Sequence, residues 1–518
     1  MTKKTNVVRA SLTGVGGVVG ASIAVLVVGA LLVVPLPRLE GYAPMFKVTP
    51  LPSMQNIVCP GPLVQVNPDK SATVSYLSNG SPVLQLDSTS TQQTNMVLTM
   101  TDNKAPASLG APSVISVPPV KGASEQPLLA GMQLQTGKGE SLAGLATVSC
   151  AEPSNDVWLV GGATDVGRTT LLLLENPTDV YSTAKIEVFA ENGPVAMLKN
   201  DGIQVPPRTQ RIISIAGYAR DVYAPVIHVS SSGGALLATL QQSVMRTLVP
   251  SGVEWVNPST APSTTQMITG VYLAGSSANS EYGAVSSDLE STIRVLVPGT
   301  ESADVKLKFI SLAGEVTELA APVNAQEVIQ FPFVGMKDGM YTVIVSANKP
   351  IVAGVRSVIA SGVQAPVLST TPSSPPAPTS TPSATASPTP TPSATPAAPA
   401  APAAKVTGGD FAWFSAGNFL TNSLLVPVPS GPNPMLSFYN PFDWDVTVVL
   451  SARNQQDVRL KIAPGQMSTV KLTGGANYTV KGSDGLIGQL TYIGGGQGSG
   501  TVLSPANALG SAISVYPR

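Results

Sequence analysis

Asp156-Val157-Trp158-Leu159-Val160-Gly161-Gly162 is followed at Leu173 by Leu173-Leu174-Glu175-Asn176-Pro177-Thr178-Asp179. An apolar run of strand length stops at Asn-Pro and resumes as Ala184–Ala190, which reads as strand, turn, strand. The pattern returns twice. Gly270-Val271-Tyr272-Leu273-Ala274-Gly275 opens a second segment, with Leu296-Val297-Pro298-Gly299 at the place of the Asn-Pro turn. Asp410-Phe411-Ala412-Trp413-Phe414-Ser415-Ala416-Gly417 opens a third, followed by Ser437-Phe438-Tyr439-Asn440-Pro441-Phe442-Asp443. From Trp158 to Tyr272 is 114 residues, and from Tyr272 to Trp413 is 141, or 105 without a 36-residue low-complexity tract. That period suits a seven-stranded sandwich of about 100 residues. The expectation is an all-β chain of tandem Ig-like β-sandwich domains. Trp158, Gly161, Asn176, Pro177, Tyr272, Gly275, Trp413, Gly417, Asn440 and Pro441 are its repeat-defining structural positions.

Composition narrows the function. Charged residues make up 11% of the 518, with a formal net charge of −1, against about 25% in ordinary domains. A nucleic-acid partner is not expected, because no basic field exists to release counterions. Gly and Pro together number 95, a density of helix breakers that disfavours bundles. One histidine and two cysteines leave no ligand set for most metal sites, so neither a metal nor a cofactor is expected.

From Ala10 to Pro37 there is no charged residue. The most apolar part, residues 14–34, would span about 31 Å as a helix, against a hydrocarbon core of about 30 Å. Lys3, Lys4 and Arg9 precede it, so the basic bias puts the N-terminus in the cytoplasm and residues 38–518 outside. The reading is a transmembrane signal anchor; a signal peptide cleaved after Ala43 competes with it. Gly16 and Gly20 form a GxxxG that Gly-rich composition alone can produce. Outside the cell thiols are oxidised, so Cys59 and Cys150 are expected to pair, with two separate buried thiols as the alternative.

Residues 369–404 hold 11 prolines and no charge. Such a tract cannot bury a core and favours extended polyproline II; a glycosylated stalk and a bare spacer both fit it. The expected order is a cytoplasmic tail (1–13), the anchor (14–34), a short stalk (35–55), an N-terminal β unit (56–155) and repeat one (156–250). Repeat two (251–368), the disordered Pro/Ser/Thr/Ala-rich linker (369–405) and repeat three (406–518) follow, the last as an independent body; the alternative is that it completes the sandwich before it, with the tract as an inserted loop.

The candidate chemistry is sparse. His228, in the strand-like Val226–Ser230, lacks any nucleophile elbow and reads as structural. Asp443 and Asp445 flank Trp444, a pattern able to hold a sugar or a calcium ion, but a solvated turn is the simpler reading. Gly233-Gly234 and Gly494–Gly496 read as hairpin turns. Asn477-Tyr478-Thr479 is a sequon by pattern.

The combination of the anchor, Cys59-Pro60-Gly61-Pro62, Cys150, Trp158-Leu159-Val160-Gly161-Gly162, Gly167-Arg168 and Leu174-Glu175-Asn176-Pro177 resembles the actinobacterial membrane-anchored family of unknown function DUF5719. The resemblance covers most of 40–365 and the sandwich after the linker. It implies an envelope location, and a role in surface glycopolymers through a neighbouring membrane glycosyltransferase. It offers no catalytic residues. The expectation is therefore a non-catalytic single-pass protein that presents β-sandwich modules outside the membrane. Its partners would be the membrane and an envelope glycosyltransferase or cell-wall glycan. A surface adhesin for external protein or carbohydrate ligands is the alternative. Oligomeric state is not legible.

Overall fold

The computed structural model describes residues 46–48, 53–67, 74–105, 109–121, 123, 126–196, 202–274, 289–333, 335–360, 409–504 and 513–515. The expected tail and anchor (1–34), Gly275 and the tract at 369–405 lie outside them. The chain divides into two compact units. In the first, Phe46–Val48 pairs antiparallel with Ile513–Val515. The second, Pro52–Leu509, holds the rest of the fold. Its described residues are strands and turns, with one short 3-10 turn and no α-helix.

One strand order is used three times. In 156–246 the first strand, Asp156–Val160, pairs with Val226–Gly233, which pairs with Ser182–Ala190 and then Ile203–Val205. The opposite sheet sets Leu237–Arg246 beside Arg168–Asn176 beside Thr209–Ser214. Between them lies one apolar core, with Leu159, Leu172, Ile186 and Ile227 drawn from both sheets. In 263–360 the same order recurs, except that its sixth and seventh strands are one continuous strand, Gly339–Ala360, serving both sheets. It recurs again in 423–494. A first, shorter module covers 55–149. Alternating burial, as in Ala303–Ser311 where Ala303, Val305 and Leu307 are buried and Asp304 and Lys306 exposed, is what a half-buried strand produces.

Each module adds one more strand through a hairpin. In the first, β1 (Leu129–Gly137) turns into β2 (Gly144–Ser149). In the second, β3 (Leu237–Arg246) turns into β4 (Val249–Val256). In the third, β5 (Gly339–Ala360) pairs with β6 (Gly409–Ser415). In the fourth, β7 (Ile487–Gly494) turns into β8 (Gln497–Val502). The four added strands meet in cyclic order, β2 against β4, β4 against β6, β6 against β8, and β8 against β2. The modules thus form a closed ring, not a string.

This alters the domain reading at one point. The residues after the Pro-rich tract do not begin an independent body. Gly409 pairs with Ala360 across the tract, and the ladder runs on to Ser415 opposite Gly354. The tract is an insertion in the third hairpin, where the second and fourth modules use Thr247-Leu248 and Gly495-Gly496. Strand β6 completes the third module, and the fourth begins at Ser423. The physical reason is burial. Phe414 lies in the core of the third module and Trp413 in that of the second, so removing β6 would open both.

Candidate functional site: the ring junction and the pocket at its end

Strands β2 and β8 face each other as sheet edges, whose unpaired N–H groups would be costly if left buried. Side chains from β4, β6 and β8, and from Asn257 just past β4, satisfy them. Leu145 N–H donates to Asp410 Oδ2 at 2.8 Å and Thr147 N–H to Glu254 Oε1 at 3.0 Å. Ser149 N–H donates to Asn257 Oδ1 at 3.2 Å and Thr501 Oγ1 at 2.9 Å. These are alternate residues, the period at which one strand edge presents its donors. From the other side, Gly498 N–H reaches Asp410, and Ser499 Oγ–H and Gly500 N–H reach Glu254. Gly144, at φ +119, makes room for this: a Cβ there would stand 2.4 Å from Asp410 Oδ1. Burial pushes the Asp410 carboxyl up to about 8 against the pull of four backbone N–H donors. Burial likewise holds Glu254 well above its ordinary range, and the Asp410 charge adds to the rise.

Cys59 and Cys150 are disulfide-bonded, as expected. The bond ties Gln55–Cys59 to the exit of β2. The following Pro60–Val64 is gripped by glutamine amides acting as surrogate strands. Gln133 accepts from Gly61 N–H at 3.1 Å and donates to Gly61 O at 2.9 Å. Gln241, on β3, does the same for Val64 at 2.8 and 2.7 Å. Gln210 donates to Pro60 O and to Glu175. Glu175 is wholly buried, its Oε2 has no partner, and burial raises it to about 8.

Several of the expected repeat positions pack against neighbours or hold turns. Trp158 is buried where the second and third modules meet and stacks on His228 at 4.2 Å. Both His228 nitrogens are taken, Nδ1 by Glu187 at 2.9 Å and Nε2 by Asp156 at 2.7 Å. Tyr272 is buried between the third and fourth modules. Gly161 packs against Val256 and Trp413, and Gly417 N–H bonds Met267 O. Asn176 and Asn440, each before a proline, do one job. Asn176 Nδ2 donates to Val180 O and Val205 O; Asn440 Nδ2 donates to Trp444 O, Ile462 O and Ala463 O. Trp444 stacks on Phe442 at 4.5 Å, and Asp445 pairs with Lys461. Among the described residues no cluster of three metal-ligating side chains forms.

Trp413 is not the counterpart of Trp158. It sits in an added strand, as does Trp255 on β4, and each wedges into the preceding module. Trp413 Nε1 donates to Gln242 Oε1 at 2.6 Å, and the Arg294 guanidinium lies 4.8 Å from its ring. Arg294 itself is buried, donating to Gly162 O and Pro225 O of the second module. Desolvation lowers it to about 9. Trp255 escaped the sequence pattern because its glycine, Gly252, precedes it instead of following three or four places on.

At the end of the junction where the added strands exit, a pocket of about 320 Å³ opens. All four modules contribute, with Glu152, Ser154, Asn257, Thr260, Asn418 and Ser504 among its polar lining. Asn257 is 3% exposed. Its Oδ1 accepts from Ser149 and Thr501, which turns Nδ2 the other way. Neither that Nδ2 nor the carboxyl of Glu152 has a partner among the described residues. Desolvation holds Glu152 above its ordinary range. No local sequence motif marked these residues, because they come together only when the ring closes.

The description "family of unknown function (DUF5719)" belongs to a family model that matches residues 105–407, more than half of the chain. No curated protein matches. Among solved structures, a tetra-tandem repeat from the extending region of a large adhesion protein aligns at 11% identity and TM-score 0.11, over 84% of this chain and 94% of that one. A GH78 family rhamnosidase of Bacillus sp. GL1 aligns at 9% identity and TM-score 0.11, over 71% of this chain and 56% of that one. Likenesses this low carry no argument about fold or activity. The family match shows membership alone: the chain belongs to DUF5719, the family whose motifs its sequence resembles.

Proposed function

We propose that this protein is a non-catalytic, single-pass envelope protein, anchored by residues 14–34 with residues 38–518 outside. Its Ig-like β modules act as a scaffold or accessory for surface glycan or cell-wall assembly. The observation that carries the reading is the pairing of Ala360 with Gly409 across the Pro-rich tract. A stalk that lifts adhesive domains stands in series between bodies. The residues on either side of this tract pair in one sheet, so the tract does not stand in series between bodies, and in sequence only about 20 residues separate the anchor from the first module. That favours a partner at the membrane over an external adhesive ligand. The Cys59–Cys150 bond supports an oxidising compartment. His228, held at both nitrogens by carboxylates, has no nitrogen free to serve as a base, which favours a role without catalysis. Crosslinking in intact cells followed by identification of partners tests the proposal. A membrane glycosyltransferase or nascent glycan as the main adduct supports it; external ligands alone would replace it with the adhesin reading.

A further inference from the structure

We propose that the pocket at the exit end of the ring junction binds one saccharide unit, neutral or aminated, through donor and acceptor groups that the ring holds ready. The site is built rather than incidental. Asn257 is almost wholly buried, and its amide orientation is fixed from behind by the Ser149 N–H and the Thr501 hydroxyl. Nδ2 itself is not one of the buried atoms left without a partner: it is open to the pocket, where a ligand acceptor would take the place of water. Opposite in character, the Glu152 carboxyl has no cation or donor beside it. Asn418 adds an amide that donates and accepts.

The ligand class follows from this pairing. A sugar hydroxyl accepts from Asn257 Nδ2 while donating to Glu152, and no simple cation or anion can do both. No lysine, arginine or histidine lines the pocket, so an anionic sugar would meet Glu152 without compensation. An amino sugar would bring the missing cation. Leu236, Val502 and Leu503 supply apolar wall for the ring's C–H faces. A volume of about 320 Å³ is at the small end of ligand sites and suits a single unit. The four contributing modules meet only in the closed ring, so occupancy would report ring integrity. The choice of a saccharide rests on the glycan reading above, whereas the exclusion of anions rests on the lining alone.

Three monosaccharides that share a ring and differ in charge test it: glucosamine, glucose and glucuronate. Ligand-observed saturation-transfer NMR on the full chain in detergent should show glucosamine and glucose binding, with glucosamine about fivefold tighter, the scale of one partly exposed ion pair. Glucuronate should be at least tenfold weaker than glucosamine. Glu152→Gln should abolish the glucosamine preference, and Asn418→Ala should weaken glucose binding several-fold. Both changes are at exposed positions and should leave the thermal midpoint unchanged. Equal binding of glucuronate, or sugar signals indifferent to both variants, or no signal from any of the three, overturns the proposal. Sugar binding without glycosyltransferase crosslinks would sink the assembly role and spare the pocket; the reverse would sink the pocket alone.

Discussion

Replacing Trp413 by alanine should unfold more than the module that follows it. The side chain is 1% exposed and packs among Leu172, Leu174 and Leu240, which precede it by more than 170 residues. Truncating a buried tryptophan costs about 3–5 kcal/mol. The Gln242 carbonyl, 2.6 Å from the indole N–H, would lose its donor, adding about 1 kcal/mol. Arg294 would lose the ring it lies over, so the total should reach about 5 kcal/mol. The assay is denaturant unfolding read by the remaining tryptophans, Trp158 and Trp255 in the second module and Trp444 in the fourth. The midpoint should fall equally at all three, because the wedge joins the second and third modules. Trp413→Phe, which keeps a ring, should lose less than half as much. A shift confined to Trp444, with Trp158 and Trp255 unmoved, would refute the argument that the added strand belongs to the ring.

Other outcomes follow from the same contacts. Replacing Cys59 and Cys150 by serine opens a 92-residue loop and should cost about 2–5 kcal/mol, with non-reducing peptide mapping of the parent showing the linked peptides. Asn440→Ala strands the carbonyls of Trp444, Ile462 and Ala463 and should cost about 1–3 kcal/mol by thermal melting, with Asn176→Ala similar. Glu175 is raised in the fold to about 8 from an ordinary 4.5. Its contribution is therefore full below pH 4.5 and is lost as pH rises through 8. Between pH 7 and 9 the parent should lose about 1.4 kcal/mol that Glu175→Gln does not.

The strands themselves were legible, because short β-branched runs between Gly, Pro and Asn-Pro turns have few other solutions. The disulfide was legible from two lone cysteines that follow a long apolar segment. The Asn-Pro turns were found as punctuation, but not the reason for them: that an asparagine side chain holds the whole loop is visible only once its carbonyl partners are in place. What the sequence concealed is ring closure. An aromatic followed by glycine looks alike at Trp158 and Trp413, yet one heads a first strand and the other lies in an added strand. The Pro-rich tract reads as a boundary by composition, and composition carries no information about whether its ends are paired. The buried acids Glu254 and Asp410 look like surface residues until β2 and β8 present N–H groups that need acceptors. The pocket's residues are scattered over more than 350 positions, with no local pattern to link them.

The most direct test of the closed ring is to cut it at the tract. A specific protease site placed between residues 373 and 403 would leave two chains joined by no peptide bond and no disulfide, since Cys59 and Cys150 are both upstream. The nicked protein should elute as one species under native conditions and melt in a single transition, because β6 stays zipped to β5 and β8 stays against β2. Separation of the two pieces into independently folded bodies would contradict the account.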